Sequence, residues 1–177
     1  MSRLDSFIAR MQAQRDCLNF LKPHVDRMPG PIVDVGLGNG RTYDHLRELF
    51  PRRDIYVFER KVAAHPDCIP PADRLFLGEA QETIPAAAQR LGATAALVHT
   101  DLGTGDHEAN MAMAGWLGPA LDLLVRPQGF VVANQPLAVS RWSRLADPPG
   151  VARDRYFLYR AGWPTRVTEP PTRMRQA

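Results

Sequence analysis

Lysine is almost missing from this sequence: Lys22 and Lys61 are the only two, and arginine supplies the rest of the 22 basic residues. Against 19 acidic residues this leaves a net charge of +3, with no concentrated basic stripe. The densest clusters, Arg52-Arg53 and the trio Arg166, Arg173 and Arg175, read as solvated surface, so nucleic acid is not indicated as a partner. Cysteine is scarce too. Cys17 and Cys68 lie far apart, with neither metal-type spacing nor a disulfide framework around them. No apolar run approaches the roughly 18 to 20 residues that span a bilayer. The start of the chain, Met1 to Arg10, is broken by charge and does not read as a signal peptide. These absences predict a cytoplasmic protein with no membrane partner. At 177 residues there is room for one domain with a substantial core.

What is present is an alternation of periods. Leu4, Phe7, Ile8, Met11, Leu18 and Leu21 recur at helical spacing, and Pro23 followed by Pro29-Gly30 is expected to end that helix. Pro31 to Val35 is a short apolar run, as in a strand buried on both faces. A glycine loop leads to a helix from Thr42 to Phe50. The alternation then repeats, with strands at Ile55 to Phe58, Leu75 to Leu77, Ala95 to Thr100 and Phe130 to Ala133. Helices are expected from Pro85 to Leu91, with proline in the first turn, and from Glu108 to Val125. Strands that alternate with helices predict a mostly parallel, Rossmann-like α/β sheet with helices on both faces, plus an N-terminal helix. Past Asn134 the pattern thins to one clear strand, Tyr156 to Tyr159, and a weaker one at Arg166 to Thr168. The organisation expected is a helical segment over 1–28, one ligand-binding domain over 29–170, and a disordered tail over 171–177.

Chemistry gathers in two places. Asp34-Val-Gly36-Leu-Gly38-Asn-Gly40 lies between the first strand and its helix, where open α/β sheets bind ligands. Glycine there lets backbone approach a ligand closely. Glu59 ends the second strand, nineteen residues after Gly40, where a carboxylate can accept the hydroxyls of an adenosine ribose. A dinucleotide loop requires G-x-G-x-x-G. This one reads G-x-G-x-G with Arg41 following, and Asp34 would repel a pyrophosphate while suiting a cationic amino-acid moiety. The spacing therefore favours S-adenosyl-L-methionine over NAD(P).

With these residues in place, the chain resembles the class I S-adenosylmethionine-dependent methyltransferases from about Pro31 to Asn134. On length and on its thin C-terminal part it is similar to a small bacterial subfamily without an assigned substrate. The resemblance implies that Asp34, Gly36, Gly38 and Gly40 wrap the methionine end of the cofactor. It implies that Glu59, with Arg60 beside it, holds the ribose, and that Gly78-Glu79-Ala80 flanks adenine. Thr100-Asp101 would face the transferring methyl group. Leu124 to Phe130 is similar to the family's turn into the fifth strand, with Gln128 where glycine is common. Read without the resemblance, each carboxylate has a plainer role: Asp34, Glu59 or Asp101 can cap a loop, and Glu79 can complement a helix dipole.

For catalysis, Asp101 and His107 are the candidates by location, His107 competing with a helix-start role for Asp106-His107-Glu108. His99 lies inside a strand and reads as a core histidine. Metal-dependent O-methyltransferases of this fold place Asp-Asn after the fifth strand. Ala133-Asn134 lacks that carboxylate, so no metal is expected. The acceptor is expected to be a small molecule, in a pocket lined by the N-terminal helix, the loop from Leu102 to Asp106, and the segment from Pro136 to Gly150 with Trp142. The apolar stripe from Leu4 to Leu21 would cover that pocket or join a homo-oligomer. The rival readings are an NAD(P)-dependent oxidoreductase and a non-catalytic cofactor-binding or interaction protein.

Overall fold

The computed structural model describes residues 2–104 and 106–164. The weak strand at Arg166 to Thr168 and the tail over 171–177 lie outside the described residues.

Helix α1 (Arg3–Asp26) opens with a reciprocal cap: the Asp5 amide donates to the Ser2 hydroxyl and the Ser2 amide to the Asp5 carboxylate, both at 3.0 Å. It then runs through Pro23 rather than ending there. The final turn is retained because Leu21 and Val25 are buried and because Arg53 donates to the carbonyls of Val25 (2.7 Å) and Gly30 (2.6 Å) just past it. Tertiary support thus outweighs the bond that proline removes.

Strand β1 (Ile32–Val35) is buried along its whole length and leads through the glycine loop into α2 (Arg41–Leu49). Then come β2 (Ile55–Glu59), two short 3-10 turns, β3 (Leu75–Leu77), α3 (Ala80–Leu91), β4 (Ala95–Thr100) and α4 (His107–Asp122). The expected proline-first helix is in fact α3, begun five residues earlier at Ala80, with Pro85 inside it. Ile84 and Ala87 bury one face of α3 against the sheet, which holds the helix together across the proline. Strand β5 (Val125–Ala133) also starts five residues before the expected point, and its pairing with β4 shifts register between Ala95 and Leu97. Gln128 sits in that irregularity at φ +65°, a left-handed backbone that explains the family's glycine there.

Two more strands, β6 (Trp142–Arg144) and β7 (Phe157–Ala161), complete a seven-stranded sheet in the order β3-β2-β1-β4-β5-β7-β6. Pairs within β1 to β5 are parallel, whereas β7 runs antiparallel to both β5 and β6. β6 was not expected, and it corrects the reading of Trp142. That indole is buried in the core, where its Nε1 donates to Asp122 Oδ1 at 2.6 Å, so it is packing rather than a wall of the acceptor pocket.

Apolar residues divide into two cores, one on each face of the sheet. Leu18, Leu21 and Val25 of α1 join Leu46 of α2 on one face, and Ile84 of α3 joins Leu117 and Leu121 of α4 on the other. The stripe on α1 is only half buried: Leu18 and Leu21 are closed to solvent, while Leu4, Phe7 and Ile8 stay exposed in the single chain. None of the described helices is long and apolar enough to cross a membrane.

Candidate active site

The sheet reverses its winding between β1 and β4, and the loops at the carboxyl ends of β1, β2, β3 and β4 enclose two cavities there. One, of about 250 Å³, lies over the ends of β2 and β3, with Glu59, Arg60, Glu79 and Ala80 in its lining and Phe58, Met113 and Trp116 as an apolar wall. The other, of about 500 Å³, lies beneath α1, bounded by Phe7, Arg10 and Gln14 on one side and by Gly38, Asp101 and Asn134 on the other. Gly36, Gly103 and Thr104 line both, so the two lie side by side at the tip of β1.

The glycine loop is shaped by backbone requirements. Gly36 and Gly38 have φ of +99° and +51°. A Cβ on Gly36 would meet Leu102 Cδ2 at 2.9 Å, whereas one on Gly38 would stand in open space within the cavity lining. That empty cradle is where a ligand can approach the main chain. Gly40 has a different task. It caps α2 at φ +83°, and any side chain would collide with Cys68, so it serves the packing of the loop rather than the lining of either cavity.

Glu59 braces the same loop. Its Oε2 accepts from the Gly38 amide at 3.0 Å, and its Oε1 accepts from the amides of Arg60 (2.7 Å) and Lys61 (3.1 Å). Three donors leave a carboxylate with about one of its four acceptor positions open. Across the cavity Glu79 sits at the N-cap of α3 without a side-chain capping bond, 3.9 Å from the Arg60 guanidinium.

Asp34 does not line either cavity. It is fully buried in β1, where its Oδ1 lies 2.7 Å from His99 Nδ1 on the neighbouring strand β4, in register. The far side of that imidazole, Nε2, meets the amide of Gln14 at 2.9 Å. His99 is thus a core histidine, as expected, and it also ties α1 to the strand that feeds the glycine loop. Asp34 Oδ2, Thr100 Oγ1 and the Tyr156 hydroxyl are buried nearby without hydrogen-bond partners among the described residues. Burial pushes the Tyr156 pKa well up, and the nearby Asp101 carboxylate adds to the shift.

Asp101, at the end of β4, faces the cavity beneath α1, and both its oxygens accept from Arg10 Nη1, at 2.6 and 2.8 Å. Arg10 had no motif to announce it; only its place on the helical pattern could have pointed to it. His107 is not brought to Asp101. It occupies the first turn of α4, exposed and outside both cavity linings, beside Asp106, whose carboxylate caps the helix through the Ala109 amide at 2.8 Å. The helix-start reading of that tripeptide fits its geometry.

Residues 1–161 match the model of a family described as S-adenosyl-L-methionine methyltransferase. The chain belongs to that family. A crystal structure of an S-adenosyl-L-methionine methyltransferase from Silicibacter pomeroyi superposes with a TM-score of 0.88 at 44% identity, over 92% of this chain and 99% of that one. Two more distant structures share the fold. A protein of Escherichia coli assigned as a methyltransferase gives a TM-score of 0.56 at 15% identity, over 86% of this chain and 88% of that one. A protein of Haemophilus influenzae assigned as a methylase gives 0.53 at 13%, over 88% and 99%. No protein of curated function matches the chain. The methyltransferase therefore uses S-adenosyl-L-methionine, and the NAD(P)-dependent reading finds no support. The residues present suit that cofactor: an open glycine cradle, a braced carboxylate with acceptor capacity left, and an apolar wall for a flat base.

Proposed function

We propose that this methyltransferase acts on a small-molecule acceptor seated in the cavity beneath α1, with the cofactor's adenosine in the cavity over β2 and β3. The observation that carries the reading is the shared boundary at Gly36, Gly103 and Thr104, which sets the two cavities side by side. When bound, the cofactor supplies an electrophilic methyl group on a sulfonium, so positioning is the protein's main contribution.

Glu59 accepts a ribose hydroxyl on its remaining lone pair while keeping the Gly38 amide in place. Arg60, Glu79 and Ala80 border the adenine end, and Gly36 and Gly38 leave room for the methionine end. Asp34 and Gly40 act indirectly, the first through its bond to His99 and the second through the start of α2. Asp101 keeps acceptor capacity beside its bonds to Arg10, which lets it orient an acceptor O–H or N–H and take up its proton. His107, exposed on α4, has no assigned part in this scheme.

The test is transfer of labelled methyl from S-adenosyl-L-methionine into a cell extract, followed by separation by size. Label in the small-molecule fraction is expected. Label confined to protein or nucleic acid would refute the acceptor class and leave the cofactor assignment standing.

A further inference from the structure

The cavity beneath α1 has an uneven charge. Of its lining residues, only Arg10, Arg41 and Asp101 carry charge at neutral pH. Arg10 engages Asp101 through Nη1 alone; its Nε and Nη2 make no hydrogen bond among the described residues. A guanidinium held from one side keeps its opposite fork available, in the geometry that pairs with a carboxylate or phosphate. The Arg41 side chain, at the first turn of α2, forms no hydrogen bond or ion pair among the described residues, and the residue is exposed. The cofactor does not remove this excess. Its amino-acid end bears one ammonium and one carboxylate, which cancel, and its sulfonium adds a further positive charge.

The rest of the wall is mixed, with the polar Gln14, Asn39, Thr42 and Asn110 beside the apolar Phe7, Met11 and Leu37, and the apolar surface continues outside it. Phe7 and Met11 border both this cavity and an adjoining groove of about 260 Å³ between α1 and α2, where Leu18 forms part of the floor. Arg10 lies 5.9 Å over the Phe7 ring, which joins the cationic and apolar parts of the surface. An amine acceptor would meet two guanidinium groups against the single carboxylate of Asp101 and is disfavoured by the net positive charge.

We propose that the acceptor is an organic anion, with a carboxylate or phosphate on an apolar body, and that Arg10 and Arg41 are the specificity-determining residues that read its charge. This rests on the placement of the acceptor beneath α1. The experiment uses three probes with the same body and different heads: phenylacetate, phenethylamine and phenethyl alcohol. Each is titrated by ligand-observed NMR into full-length protein first shown by calorimetry to be saturated with S-adenosylhomocysteine.

Phenylacetate is expected to bind about tenfold tighter than either of the others. Arg10→Gln and Arg41→Gln, checked for an unchanged melting profile, should each lower its affinity by a similar factor. Arg41→Gln, at an exposed position, keeps the test open if Arg10→Gln folds poorly. Equal binding of the three probes, preference for the amine, absence of any binding, or undiminished phenylacetate binding in both variants overturns the proposal. Failure of S-adenosylhomocysteine to bind would be a different result, since it removes the cofactor placement beneath the proposal as well.

Discussion

His99 on β4 and Asp34 on β1 share a 2.7 Å contact, Nδ1 to Oδ1, with both side chains completely closed to solvent. A buried carboxylate deprived of its partner is far costlier than a buried pair replaced as a unit. His99→Leu should therefore destabilise the fold by about 3–5 kcal/mol, and the double variant His99→Leu/Asp34→Leu by clearly less. Urea denaturation of the two would decide it, and equal losses would mean that the contact contributes little.

Glu59→Ala should weaken S-adenosylhomocysteine binding by roughly tenfold or more, from the loss of about 1.5–3 kcal/mol of charge-assisted hydrogen bonding. Glu59→Gln separates two contributions. It keeps one acceptor for the Gly38 or Arg60 amide yet lacks the charge, so its calorimetric affinity should fall between wild type and Glu59→Ala.

The two loop glycines should fail in different ways. Gly38→Val places a side chain where no protein atom lies within 4 Å, so its cost to the fold is the left-handed backbone alone (φ +51°), and the protein should melt modestly lower while cofactor binding is lost. Gly40→Ala drives a methyl into Cys68 and should lower the melting temperature before any binding is measured. Thermal melts paired with titrations of the same samples check both, and the opposite pattern would reverse the roles given to the two positions.

Alkaline pH should destabilise the protein through Cys17. Burial in the core pushes its thiol pKa from 9.0 up to about 12, with the Asp147 and Asp16 charges adding to the shift. Between those values the unfolded chain gives up the proton and the folded chain keeps it. Stability is then fully present below pH 9.0, declines as pH rises, and is lost to this group above about 12. The slope is at most about 1.4 kcal/mol per pH unit for one proton. Tyr43 and Tyr159, also raised by burial, act in the same direction. Cys17→Ala should flatten the stability curve above pH 9.0 by that one-proton component, as chemical denaturation across a pH series would reveal.

Much of this architecture is legible in the residues because buried parallel strands leave unbroken apolar runs and the glycine loop has a distinctive composition. The misplaced edges share a cause. Pro23 and Pro85 read as boundaries, yet each lies inside a helix whose neighbouring turns are held by the core. Strand β6 is three residues long with one inward side chain, Trp142, too little for a period to register. In the site, Glu59 and Gly38 were apparent because local spacing carries them. Arg10 and Gln14 were not, because their partners Asp101 and His99 come from a distant part of the chain.

That distance has a consequence for how the protein is made. Gln14 and His99 are 85 residues apart, so at about 5–20 residues per second a ribosome adds Gln14 roughly 4 to 17 seconds before its partner on β4 exists. Through that interval Leu18, Leu21 and Val25, destined for the core, have β1, β2 and α2 to pack against but lack Leu97 of β4 and Phe130 of β5. Helix α1 is thus made long before it is secured, and the growing chain presents an incompletely covered apolar face that chaperones can hold.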